Sequence, residues 1–88
     1  MAGRPEALID PDQPFADFAN GLRALRAACG KTYEQIASET HFCVSVLSMA
    51  ANGRHLPTLP VTLAYVRACG GNVSDWRCWW NDLRRRGC

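Results

Sequence analysis

The sequence predicts an all-α domain of five helices, and three observations carry that prediction. Apolar residues recur at spacings of three and four, as on helices with one buried face, and nowhere alternate with the period of two that a half-buried strand needs. Gly30, Gly53 with Pro57, and Gly70-Gly71 punctuate those stretches at the intervals expected of helix ends. The chain has 88 residues, 48% hydrophobic and 20% charged, which is room for one core and not for a second domain.

Residues 1–13 contain Pro5, Pro11 and several acids without periodicity, so a flexible arm is expected ahead of a folded domain over 14–86. Pro14 suits the first position of a helix. From there Phe15, Phe18, Ala19, Leu22, Leu25, Ala28 and Cys29 form an inward stripe, with Arg23 and Arg26 outside it and Gly30 as the terminal cap. Thr32 and Gln35 stand in the T-x-x-Q arrangement of a capping box, in which each side chain binds the other residue's amide. The second helix therefore starts at Tyr33 and runs to about Glu39, with Ile36 and Ala37 inward and Glu34 and Glu39 outward.

Thr40-His41 interrupts the pattern, and a third helix over 44–51 follows, closed by Asn52-Gly53. Phe42, Val46 and Leu47 are its expected core residues. Two helices joined by so few residues must cross steeply, which is the spacing of a helix-turn-helix. After a loop containing Pro57, Pro60 and Val61 open the fourth helix, whose expected core face is Val61, Leu63, Ala64 and the stretch from Val66 to Ala68. Asn72, with Asp75 three residues on, caps a fifth helix carrying Trp76, Trp79, Trp80 and Leu83. Trp76, Trp80 and Leu83 share a face at spacings of four and three and should close the core against the first and fourth helices, with Trp79 beside that stripe.

Charge is uneven along the chain. Arg4 stands against Glu6, Asp10, Asp12 and Asp17 in the first 20 residues. The remaining nine Lys and Arg face four acids, so that part nets +5 although the whole chain is only +2. A basic folded part suits a polyanionic partner, and an ordinary solvated surface would give the same count. Five cysteines without framework spacing predict free thiols in a reducing compartment. With no long apolar run and no signal-peptide pattern, a soluble, cytoplasmic chain is expected.

The order of helices, T-Y-E-Q-I-A at the second, V-x-x-L-S-x-A-A-N-G-R across the third and L-P-x-L-P-V-T-L-A-Y-V-R-A-C-G-G through the fourth resemble the lambda-repressor-like, Cro-type helix-turn-helix family. This family is also called the xenobiotic-response-element family, and the resemblance covers about residues 15–83. The chain is also similar to a bacterial subgroup that opens with G-R-P-E and ends in a tryptophan-rich helix. The resemblance implies a compact five-helix lambda-repressor-like domain, double-stranded DNA as partner, and transcription regulation. It puts phosphate contacts at Thr32, Tyr33 and Gln35 and, beyond the third helix, at Asn52, Arg54, His55 and Thr58. It puts base contacts at Val44, Ser45, Ser48 and Met49.

At the base-reading positions the chain departs from the family, where Gln, Arg, Lys or Asn usually stand. Val44 and Met49 cannot form bidentate hydrogen bonds to purine edges, though either can pack on a thymine methyl. The cap before the third helix is Cys43, a poorer acceptor than Ser or Thr. Two readings stay open: DNA binding chiefly through phosphates and shape, or a protein-binding surface formed by Val44 and Met49 with neighbouring Phe42. Trp79 is a further candidate for a protein interface, whether with a second copy or another partner. Arg84, Arg85 and Arg86 form a basic tail. His41-x-Cys43 lacks the companion spacing of a zinc site, and no phosphate loop, nucleophile elbow or paired acids are found. No enzyme, cofactor, metal, membrane or small-molecule substrate is therefore expected.

Overall fold

Five helices follow one another in this computed structural model: α1 (Ala16–Cys29), α2 (Tyr33–Thr40), α3 (Val44–Ala50), α4 (Leu59–Ala68) and α5 (Val73–Gly87). The structure describes Ile9 and residues 11–87, and no strand occurs among them. Most of the arm expected over 1–13, and Cys88, lie outside the described residues. No helix among the described residues is long and apolar enough to cross a membrane.

The helix ends follow local chemistry. Gly30 closes α1 at φ 73°, with its amide donating to the Arg26 carbonyl. Both halves of the Thr32–Gln35 capping box are formed at α2. His41 ends α2 at φ 65°, a left-handed conformation that few side chains adopt and that turns the chain within three residues into α3. Thr58 caps α4, with its hydroxyl accepting from the Val61 amide, and the Asn72 side chain accepts from the Asp75 amide at the start of α5.

α1 begins later than the sequence suggested. Phe15 rather than Pro14 stands at the boundary, with φ −120°, because its amide is drawn to the Gly53 carbonyl at 3.0 Å, which ties the start of α1 to the turn after α3. Gly53 is buried there at φ 81°, and a Cβ on it would meet Ile9 Cγ2 at 2.8 Å and the Ala16 Cα at 3.3 Å. Glycine is required on both counts.

The core joins all five helices through Phe18, Leu22, Ile36, Leu47, Val66 and Trp80. Each such side chain, once buried, contributes roughly 1.5–3 kcal/mol. The core face of α4 differs from the one expected. Thr62 and Tyr65 are fully buried with Val61, Val66 and Cys69, whereas Leu63 and Ala64 are only half-buried and Arg67 is exposed. Thr62 is accommodated because its hydroxyl donates to the Thr58 carbonyl at 3.0 Å. The Tyr65 hydroxyl is buried, and burial followed by the adjacent Tyr33 raises its ionisation well above the ordinary 10.0. Ala28, expected inward, is exposed, while its neighbour Cys29 is half-buried against the core.

On α5 the tryptophans divide their work. Trp76 and Trp79 both meet Phe18 edge-on, at centroid distances of 5.1 and 5.0 Å, and Trp76 lies so close to Gly21 that a Cβ there would sit 2.8 Å from its ring. Trp80 is buried and donates its indole N–H to the Pro57 carbonyl at 2.7 Å, fixing the loop between α3 and α4.

Candidate nucleic-acid interface

Three neighbouring places hold the residues singled out by the sequence: the first turn of α2, the outer face of α3, and the turn from Asn52 to Thr58. Arg23 and Arg26, expected to lie outside in solvent, join two of them. Arg23 Nε donates to the Ala51 carbonyl at 2.7 Å, gripping the end of α3. One turn along α1, the Arg26 guanidinium lies 4.5 Å from the Tyr33 ring centroid and donates to the Lys31 carbonyl at 3.2 Å, gripping the start of α2. Both are half-buried. The signal was their position flanking Leu22 and Leu25, where a long side chain lies along the core edge before its head reaches a carbonyl. Lys31 adds a third clamp, donating to Glu39 at 2.8 Å and to the Ala68 carbonyl at 2.6 Å; the Glu39 bond raises its pKa.

At the two flanks the polar side chains share one habit. Thr32 Oγ1 accepts from the Gln35 amide at 3.1 Å, and Gln35 Oε1 accepts from the Thr32 amide at 2.8 Å. Asn52 Oδ1 accepts from the Arg54 amide at 2.9 Å, and Thr58 Oγ1 from the Val61 amide at 3.5 Å. In each case an acceptor atom is turned onto the protein's own backbone, while the hydroxyl hydrogens of Thr32 and Thr58 and the amide hydrogens of Gln35 and Asn52 can be donated to a partner. A partner matched to donors is an acceptor. Arg54 and His55 are exposed beside Asn52 and are donors as well. Tyr33 differs: its ring packs between Arg26 and Tyr65, 6.2 Å from the latter's centroid. Glu34 is exposed in the same turn and is the one acid there.

From Thr40 to Ser74 the sequence contains no Asp or Glu, while Arg54, Arg67, His41 and His55 lie within that stretch. α3 and the turn after it therefore carry no carboxylate to repel an anion.

On α3 itself Val44, Ser45, Ser48 and Met49 are all exposed, and Leu47 and Ala50 are buried. Cys43 makes no side-chain cap to the helix, and its Sγ lies 3.4 Å from Ser45 Oγ. That contact, with help from the Val46 amide, lowers the thiol's pKa. Beside Met49 runs an apolar groove of about 270 Å³, lined by Val46, Ala50, Leu56, Pro57 and Val61 with His55 at its edge. Trp79, the other residue considered for a partner, is half-buried against Phe18 and Trp76. Cys29, Cys43, Cys69 and Cys78 are free thiols.

The model of a helix-turn-helix domain family matches residues 17–75, well over half of the chain and all of α2, α3 and the turn that follows it. The chain matches no curated protein and no solved structure. It belongs to the helix-turn-helix domain family, in agreement with its resemblance to the Cro and lambda-repressor type.

Proposed function

We propose that this helix-turn-helix domain is a DNA-binding transcriptional regulator, or the DNA-binding module of one, with α3 in the major groove and the first turn of α2 crossing the phosphate backbone. The observation that carries this reading is the shared orientation of Thr32, Gln35, Asn52 and Thr58, each with its acceptor on its own backbone and its donor hydrogens left over. Phosphate oxygens accept hydrogen bonds and donate none, so such a set suits a nucleic-acid backbone. The positive end of α2, which starts at Tyr33, adds to it. Arg54 supplies charge and His55 a ring N–H donor at the opposite flank, and Arg23 and Arg26 hold both flanks to α1.

Titration of duplex DNA at several salt concentrations tests the proposal. Affinity should fall steeply with salt, each neutralised phosphate contributing about −0.9 to the log–log slope. Arg54→Ala should weaken binding to all sequences alike and reduce that slope by about one phosphate's share. Absence of binding at low salt, or binding that ignores salt, would refute the reading.

One observation favours a second reading. Met49, 58% exposed, stands beside the apolar groove, a pairing that also suits a protein partner. In that case Met49→Arg abolishes partner capture and leaves duplex affinity equal or higher.

A further inference from the structure

The outer face of α3 has an uncommon chemistry for a surface that enters a major groove. Taking Val44 as origin and 100° per residue, Ser48, Ser45 and Met49 follow at ~40°, ~100° and ~140°, so two serines lie between two apolar side chains on a single arc. Val44 and Met49 are the exposed large hydrophobic residues of the described chain, at 39% and 58%. Nothing on the helix can make a fixed pair of hydrogen bonds: it contains no Arg, Lys, Asn, Gln, Asp or Glu. Asn52, just beyond it, has its carbonyl oxygen engaged by the Arg54 amide. Ser45 lies against Cys43.

The base edges ask for particular partners. Guanine is read by a bidentate cation, adenine by an amide, and cytosine's amino group by a carboxylate, whereas thymine shows one acceptor and an apolar C5 methyl group. The first three partners are missing from α3, and no acid occurs anywhere between Thr40 and Ser74. Serine hydroxyls rotate and can donate or accept, so they bond to any base and distinguish none sharply. The discriminating feature left for this face is the methyl group. Its two apolar residues are separated by a rise of ~7.5 Å along the helix, about two base-pair steps of ~3.4 Å. Charge is complementary as well, since the flanks, Glu34 apart, are donors and cations and the face bears no anion.

We infer that α3 reads C5 methyl groups of pyrimidines in the major groove, through apolar contact from Val44 and Met49 on the methyl of thymine or 5-methylcytosine. This rests on the DNA-binding reading above. The two serines then act as tolerant hydrogen-bond partners between the methyl contacts, and affinity comes from the phosphate flanks.

The test uses the full chain and a random-sequence duplex library synthesised in three forms: with thymine, with uracil replacing thymine, and with uracil plus 5-methylcytosine replacing cytosine. Uracil keeps every hydrogen-bonding group of thymine and lacks only the methyl. The thymine library should bind about 4- to 15-fold more tightly than the uracil library, for one or two methyl groups buried, with the salt slope unchanged. The Val44→Ser, Met49→Gln double variant changes only exposed positions and should bind the thymine and uracil libraries equally. Recovery of affinity by 5-methylcytosine shows that the methyl is read on either base; no recovery assigns thymine as its source. Equal binding of the thymine and uracil libraries by the unaltered chain overturns the inference and leaves the DNA-binding reading standing. Failure to bind any form at low salt overturns the DNA-binding reading first and the inference with it.

Discussion

Replacing Gly53 by alanine strains the structure twice, and a control within the same chain separates the two strains. Gly53 sits at φ 81° between Asn52 and Arg54, with the Ala16 backbone 3.3 Å and Ile9 Cγ2 2.8 Å from where a Cβ would stand. Gly30 has nearly the same conformation, φ 73°, and nothing within 4 Å. Left-handed backbone costs an L-residue roughly 1–2 kcal/mol, offset in part by the stiffer unfolded chain that alanine gives, so Gly30→Ala should lose about 1 kcal/mol. Gly53→Ala carries that loss plus the overpacking against Ala16, which is backbone and cannot step aside as a flexible side-chain tip can. Overpacking adds roughly 1–3 kcal/mol, for a total of about 2–4. In a domain of this size 1 kcal/mol moves Tm by about 4–8 °C, so thermal unfolding should fall modestly for Gly30→Ala and two to four times as far for Gly53→Ala. Equal losses in the two variants would refute the packing of the turn after α3 onto the start of α1.

Trp80→Phe removes the indole donor to the Pro57 carbonyl and should cost about 1–3 kcal/mol in urea unfolding, through a carbonyl left short of a partner as well as lost ring area. A loss below about half a kcal/mol would show that solvent replaces the bond. Alkaline pH should destabilise the domain. Burial, with the Cys29 thiol next, pushes Cys69 from its ordinary 9.0 up to about 12, and burial raises Tyr65 above its ordinary 10.0. Both groups are therefore held protonated by folding while the unfolded chain releases their protons earlier. The stability they contribute is complete below pH 9 and is lost as pH rises from 9 towards 12. Urea midpoints at pH 7, 9 and 10.5 should fall across the last interval, and Cys69→Ala should flatten its beginning; a constant midpoint to pH 10.5 contradicts this.

Most of the fold was legible because its helix boundaries rest on local chemistry. The Thr32–Gln35 box, the Gly30 cap and the Asn72 cap each depend on residues three or four apart, and a linear reading sees such pairs. Features set by distant partners were not legible. Phe15 leaves α1 because of Gly53, 38 positions away, and Arg23 turns inward for the Ala51 carbonyl, 28 positions away. Thr62 and Tyr65 were passed over as core because their polarity hides how well a hydroxyl can be buried when a carbonyl four residues back receives it or a second tyrosine packs beside it. At the candidate site the residue types were readable, but their donor and acceptor orientation was not. That Gln35 and Asn52 both face the backbone with oxygen is a property of two turns, and it is what turns a set of polar residues into a set of donors.

DNA binding of the proposed kind requires the first turn of α2, the outer face of α3 and the turn from Asn52 to Arg54 to meet one duplex together. Backbone amide chemical shifts of the full chain, followed during titration with a short duplex at low salt, test this most directly. The predicted result is a single set of shifted amides at residues 32–35, 44–49 and 52–55, moving with one common affinity and reverting as salt is added. Shifts centred instead on α5, or on α3 and the neighbouring groove alone with both flanks unmoved, would contradict it.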